Sequence, residues 1–360
     1  MIDYQGLSKK AVSSYSPSKE VSEFTKLVKQ DYGLGYNILH RSWLELNNRS
    51  VIDDMNRGQA TFNAFVDETI EDSSRAWEWR GTRSKARNKA VAMHAQLTAG
   101  YIFPSFVAQN DDDIEDRDMS EVMDTCVEWL GTNPTSNYKQ SFLLASLGML
   151  VNPATYMGAE WYQVYQTIKE KQENGTYIDK EVLDDVLSGF SAPVHSADQI
   201  LIANVYEQNI QRHRFNIKRR YVEYAETEAK YSNHDNWSFV RPGVKAIYSE
   251  DDGLFYDIKD DDHPFLVEEV TYTNRREDTE VCFLNGIYLG DSDVEMNAVK
   301  HRDARGAPKY NLVPFGYQRI NEHYFYYKSL MNCQYWDNQL LDAQYELGMN
   351  TAMLAANMPM

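Results

Sequence analysis

The sequence predicts an α+β protein. Three observations carry that expectation: a helical tract from about His323 to Asn357, an Asn285-Gly286 pair between two apolar stretches, and apolar patterns elsewhere that switch between helix and strand periods. The chain has 360 residues, 42% of them hydrophobic, which is enough for two domains and a substantial core. Twenty-five tyrosines and 13% aromatics suit either a tyrosine-rich core or contact surfaces.

Residues 1–35 are rich in Ser and Lys and read as an extended or partly helical arm. Residues 36–79 read as helical, with Leu39, Trp43 and Leu46, then Phe62, Phe65, Val66 and Ile70. The tract SKARNKAVAMHAQLTAG reads as a helix closed by Gly100, followed by the strand-like YIFPSFVAQ. After the acidic run from Asn110 to Asp118, Asp118 and Glu121 suggest a capping box for a helix lined by Val122, Cys126, Trp129 and Leu130. Asn137 to Leu150 is apolar nearly all round and predicts a buried helix. ATYMGAEWYQVYQTIKE alternates like a strand, with Met157, Trp161 and Val164 expected inside, and DKEVLDDVLSGF follows as a short helix.

Ile200-Leu201-Ile202 reads as a short buried strand. RHRFNIKRRYV alternates Phe215, Ile217 and Val222 with cations, and EYAETEAKY reads as a helix. Residues 233–263 are irregular and acidic, and a β-module begins at Pro264. Asn285-Gly286 suits a two-residue hairpin turn, because both residues tolerate positive φ. The last helix would be on the order of 50 Å long, at roughly 1.5 Å per residue. Its apolar residues fall seven apart at Tyr326, Cys333, Leu340, Leu347 and Leu354, alternating with Leu330, Asp337, Gln344 and Thr351. A seam half apolar and half polar suits a helix packed among copies of itself, with one side wet. The chain stops at Met360 just past Pro359, and we expect it to be the front part of a longer protein.

The net charge of −18 argues against tight, static binding to a duplex, since such affinity comes from cations paired with phosphates. Three isolated cysteines, Cys126, Cys282 and Cys333, form neither a zinc pattern nor a disulfide framework. The N-terminal MIDYQGLSKK lacks the apolar run of a signal peptide, and no segment reaches the roughly 20 apolar residues of a membrane span. No phosphate loop, dinucleotide fingerprint, nucleophile elbow or zinc-protease helix is present, so no enzyme site and no cofactor is expected.

Two acidic runs are the metal candidates. Asp111, Asp112, Asp113, Glu115, Asp116 and Asp118 lack the glycine of a calcium loop and read as a solvated loop ahead of a helix. Asp257, Asp260, Asp261, Asp262 and His263 also read as a loop, with a metal-dependent nuclease as the rival. The cations Arg80, Arg83, Lys85, Arg87 and Lys89, and again Arg212, Arg214, Lys218, Arg219 and Arg220, serve either packing and ion pairs or DNA.

The order of these parts resembles a tailed-bacteriophage portal protein over about residues 36–358. NKAVAMHAQLTAGYIFPSFVAQNDDD resembles the family's helix, apolar strand and acidic bend. SFLLASLGMLVNPATYMGAEWY resembles its buried helix running into a Gly-containing strand, and RFNIKRRYVEYAETEAKY its basic strand and helix. VEEVTYTNRRED and EVCFLNGIYLG resemble clip strands, and PFGYQRINEHYFYYKSLMNCQYWDNQLLDAQYE the entry to the stem helix, with Gln334 and Asn338 at the family's spacing.

The resemblance implies a portal fold with a mixed α/β wing, a small β-rich clip and a long helical stem. Residues 1–35 would be the arm, 36–263 the wing, 264–320 the clip and its connection, and 321–360 the stem. It implies a dodecameric ring at one capsid vertex through which double-stranded DNA is packaged and ejected. The implied partners are further copies of the chain, the major capsid protein, the terminase large subunit, and head-completion adaptor or tail proteins, all in the virion and none a membrane. Clip contacts are expected at Tyr272, Asn274, Arg275 and Arg276. Ring contacts are expected at Leu330, Gln334, Asn338, Leu340, Gln344 and Leu347, and a channel contact at Lys328. The rival from another class is a different virion structural protein, such as a capsid or tail-hub component.

Overall fold

A computed structural model describes residues 15–63, 85–99, 105–110, 112–132, 138–162, 165–171, 177–183, 189–243, 266–291 and 293–356. The first part of the chain is helical: α1 (Lys19–His40), α2 (Val51–Asn63), α3 (Lys85–Ala99), α4 (Ile114–Thr132) and α5 (Tyr138–Val151). Short strands follow: β1 (Thr155–Gly158), β2 (Glu160–Tyr162), β3 (Tyr165–Lys171), β4 (Tyr177–Leu183), β5 (Gly189–Ser191), β6 (Val194–Ser196) and β7 (Ile200–Ile202). Then come β8 (Phe215–Glu223), α6 (Tyr224–Tyr231), β9 (Leu266–Asn274), β10 (Thr279–Leu284) and β11 (Ile287–Tyr288). The chain continues with β12 (Leu312–Phe315), β13 (Gln318–Arg319), β14 (Tyr327–Lys328) and α7 (Leu330–Ala356). The class is α+β.

These elements form two compact units. The first holds α1, the β3–β4 pair, and the segment from Asp198 to Leu312. Its centre is a five-stranded sheet of order β11-β10-β9-β8-β7, antiparallel throughout. Because side chains alternate across a strand, residues paired in register share a face. Helix α1 covers one face, where Tyr272 donates to Asp31 and Arg219 donates to Tyr32. A Cβ on Gly35 would lie 2.7 Å from the Leu201 Cβ, so α1 meets β7 at close range. On the other face, Tyr224, Trp237, Val267, Leu284 and Ile287 form a buried cluster under α6.

Of the N-terminal arm expected over residues 1–35, residues 1–14 lie outside the described residues, and the part from Lys19 onward is α1. Ser18 caps it by accepting from the Val21 N–H at 3.2 Å, and Val21, Val28, Tyr32, Gly35 and Leu39 form its buried stripe. The β-module expected from Pro264 joins strands that come earlier in the chain. Strand β9 pairs with β8 along nine residues, from Phe215↔Asn274 to Glu223↔Leu266, which puts β9 in mid-sheet. The Asn285-Gly286 hairpin is present, with φ of 44° and 79°.

The second unit holds α2, α3, α4, α5, the three-stranded sheet β12-β1-β6, the β2–β5 and β13–β14 pairs, and α7. Its core joins Ala86, Ala90, Leu150, Val151, Leu330 and Met331, with Phe62 and Met93 packed against it. Helix α2 opens on a reciprocal capping box: the Ser50 N–H donates to Asp53 Oδ2, and the Asp53 N–H to Ser50 Oγ, both at 3.0 Å. Further along, a Cβ on Gly58 would lie 2.1 Å from the Val151 carbonyl oxygen. Gly58→Ala is thus expected to separate α2 from α5 and cost about 1–3 kcal/mol. Thermal unfolding of the variant within error of wild type would refute this.

Three local expectations are corrected. DKEVLDDVLSGF contains strand β4 rather than a short helix. Helix α4 begins at Ile114, so Asp118 lies inside it, and Asp113 accepts from the Glu115 N–H at 3.0 Å at its start. Along β1, Tyr156 is buried and Met157 only half-buried, while Trp161 on β2 is exposed. The strand was legible there, but the apolar alternation did not settle which side faces inward.

Candidate functional site

The long C-terminal helix begins at Leu330, not at His323. Tyr324, Phe325 and Tyr326 are fully packed instead, Phe325 against Tyr156 and Tyr326 against Phe325. Burial pushes the Tyr326 hydroxyl well above the ordinary tyrosine range. Aromatic burial holds this segment in a non-helical path. Ser329 then starts the helix, its Oγ accepting from the Asn332 N–H at 3.1 Å. The 27 residues of α7 span about 40 Å.

The first turn of α7 is an anchor. Leu330 and Met331 are in the core, and the Asn332 amide donates to the Asp54 carbonyl at 2.9 Å. Beyond it, Asn338 and Asp342 are the buried residues, with the Asn338 amide donating to Asp342 Oδ2 at 3.1 Å. Trp336, Leu340 and Leu347 lie on the opposite side and are 71%, 60% and 70% exposed. This half of the helix thus carries polar groups inward and large apolar groups outward, the reverse of an ordinary surface helix.

The expected ring residues divide accordingly. Leu330 and Asn338 are buried, Gln334 is half-buried, and Leu340, Gln344 and Leu347 are exposed. Leu330 and Asn338 serve the unit's own packing and are corrected as contact residues. Lys328 is exposed just before α7, and its charge acts on Asp54.

Asp54 sits in a cluster that pattern reading missed. It is buried, and one of its oxygens accepts from Arg49 Nη2 at 2.8 Å. Burial raises its carboxyl above the usual range, against the pull of Arg49, Arg57 and Lys328. The Arg57 guanidinium lies 3.3 Å from the Tyr335 ring centroid and 5.1 Å from that of Trp336. The capping box at Ser50-Asp53 was the one available sequence signal near it.

Of the four expected clip residues, only Arg276 is exposed. Tyr272 and Asn274 are fully buried, and that part of the expectation is corrected. The Tyr272 hydroxyl donates to Asp31 Oδ2 at 2.8 Å and accepts from the Asn274 amide at 3.1 Å. Asn274 Oδ1 in turn accepts from the Arg276 and Glu277 N–H groups and shapes the β9–β10 turn. Arg275 is half-buried, its Nε bonded to the Pro308 carbonyl and its guanidinium 5.8 Å from the Tyr310 ring centroid.

Arg214, just before β8, and Arg219 and Arg220 within it are ion-pair and hydrogen-bonding residues. Arg214 binds Asp31, Arg219 binds the Asp198 carbonyl and Tyr32, and Arg220 binds Glu269. Of the earlier basic run, Lys85, Arg87 and Lys89 are exposed on α3, while Arg80 and Arg83 lie outside the described residues.

Two neighbouring carboxylates on β9 face opposite sides of the sheet. Glu269 receives Arg220, Lys230 Nζ at 3.1 Å and the Tyr231 hydroxyl at 2.6 Å. Burial would raise its pKa, but Lys230, Arg220 and these hydrogen bonds outweigh burial and hold it far below the usual range. Glu268 has no hydrogen-bond partner on either carboxylate oxygen. Burial pushes its pKa up to about 8, with Arg219 opposing only in part.

Among the described residues, no group of three or more His, Cys, Asp or Glu is placed to hold a metal, and no helix is long and apolar enough to cross a membrane. Asp111, Asp257, Asp260, Asp261, Asp262 and His263 lie outside the described residues. No family model matches the chain, and no curated protein is significantly similar to it.

Proposed function

We propose that this chain is the protomer of a portal ring, the DNA conduit at one vertex of a tailed-phage capsid. The observation that carries the proposal is α7, whose Trp336, Leu340 and Leu347 face outward while Asn338 and Asp342 face inward. Large apolar groups on a long exposed helix are stable in water only when something covers them. Copies of the same helix arranged around an axis do so, and they leave Gln344 and its polar neighbours to line a wet surface.

The negative net charge supports the same reading, since a weakly repelling wall lets a polyanion slide rather than bind. Lys328 is then the channel contact, and Arg276 with the outer part of Arg275 the docking point for terminase, adaptor or tail proteins. The portal fold, with wing, clip and stem, belongs to this proposal, as does placement in the virion beside the major capsid protein. The chain would need no cofactor. Its role would be structural rather than enzymatic.

Electron microscopy of the full-length protein tests this. Rings of dodecameric order with a hole as wide as a DNA duplex are expected. Leu340→Asp with Leu347→Asp is expected to leave helix content unchanged and abolish the rings. An intact protein that stays monomeric or dimeric would overturn the reading.

A further inference from the structure

Helix α4 is also turned outward, and it is distinct from α7. Among its described residues only Gly131, in the last turn, is buried. The half-buried positions are Asp116, Ser120, Asp124 and Val127, and Asp124 Oδ1 accepts from the Phe106 N–H at 2.6 Å. Met119, Val122, Met123, Cys126 and Trp129 are exposed. At 3.6 residues per turn these five fall along one side. In a folded protein a helix owes most of its stability to packing of its apolar side. An apolar side that faces solvent therefore needs a partner.

The surroundings of the stripe say which partner. Glu115, Asp118, Glu121 and Glu128 are exposed beside it, and Arg117 is the one cation in α4. Helix α3 has the opposite character: Lys85, Arg87 and Lys89 are exposed, and Lys85–Ala99 contains no Asp or Glu. Ala86 and Ala90 anchor its inner side, while Lys85, Asn88, Lys89, Val91 and Ala95 are exposed. One helix thus offers an acid-flanked apolar stripe, and the other a basic surface without carboxylates within the same sequence.

We propose that α4 of one copy packs on the outward surface of α3 of a second copy. The two surfaces differ, so the contact is heterologous. It repeats from copy to copy and ends in a ring if the rotation closes, or a filament if it does not. Opposite charges orient the encounter, and raised salt weakens it. The contact needs only self-association, neither DNA nor a virion, so it stands apart from the portal reading.

The test is the mass distribution of the full chain across concentration, by sedimentation and mass photometry. Glu121→Lys with Glu128→Lys on α4, or Lys85→Glu with Lys89→Glu on α3, is expected to weaken association roughly tenfold. Combining the two pairs is expected to restore it. Circular dichroism of each variant confirms that these exposed substitutions leave the fold intact. A second readout uses native Cys126: Ala95→Cys under oxidation is expected to give a ladder of disulfide-linked multimers, which Cys126→Ser abolishes. Wild-type association by either charge-reversed chain, failure of the combined chain to recover, or cross-linking that stops at the dimer would each overturn the proposal. A ring too narrow for a duplex, with the charge swap still restoring assembly, supports this contact while ending the portal reading.

Discussion

Replacing Glu269 with alanine is expected to lower the unfolding free energy by about 3–5 kcal/mol. The carboxylate is buried on β9 and is the shared acceptor for Arg220, Lys230 and Tyr231. Its loss takes this acceptor from the Arg220 guanidinium and the Tyr231 hydroxyl, under a core that also includes Trp237 and Leu284. Most of the cost comes from the groups left behind rather than from the net worth of the pairs. Glu269→Gln keeps the shape and an acceptor but drops the charge, so a smaller loss is expected. The sign with pH follows from the depressed pKa. The stabilisation is present above the ordinary glutamate value of 4.5 and is lost as pH falls below it. Urea unfolding at pH 7 and pH 4 measures both effects. A loss under about 1 kcal/mol at pH 7 would show that solvent reaches the site and screens it.

Glu268→Gln is expected to do the reverse, and its effect should grow with pH. The folded value of about 8 lies above the ordinary glutamate value of 4.5. The native state therefore holds a proton that the unfolded chain has released between these values. Stability from this group is fully present below 4.5, falls as pH rises, and is gone once pH passes about 8. Arg219, Tyr221 and Asp198 are the charged or titratable groups around it, and none donates a hydrogen bond to its oxygens. The variant should unfold like wild type at pH 4.5 and be more stable by a few kcal/mol at pH 9. Parallel stability curves for the two proteins across this range would mean that Glu268 is solvated or paired in solution.

These adjacent residues also mark the limit of sequence reading. VEEVTYTN reads as a strand by its β-branched and aromatic content, and it is one. Alternation says that Glu268 and Glu269 face opposite ways. It does not say that both faces are covered, because α1 comes from more than two hundred residues away and α6 from a different segment. The basic tract RHRFNIKRRYV posed the same problem. Its cations had two readings, and only the arrival of Asp31, Glu269 and the Asp198 carbonyl decided between them. Tyr272 and Asn274 were legible as the end of a strand but not as buried, since the helix that covers them lies at the other end of the sequence.

The sequence by itself determined the α+β class, the helices α3, α5, α6 and the body of α7, the strands β7–β11 and the Asn285-Gly286 turn. Each rests on local causes: side-chain periodicity, glycine's tolerance of positive φ, and β-branched content. Only the tertiary structure decided that β9 lies inside a sheet, that α1 is a layer rather than an arm, and that the final helix waits until Ser329. It alone also showed that α4 and α7 carry their large apolar groups outward. Local propensity is summed over neighbours in the chain, whereas burial is set by segments distant in sequence. A residue's pattern can therefore name its element without naming what, if anything, covers it.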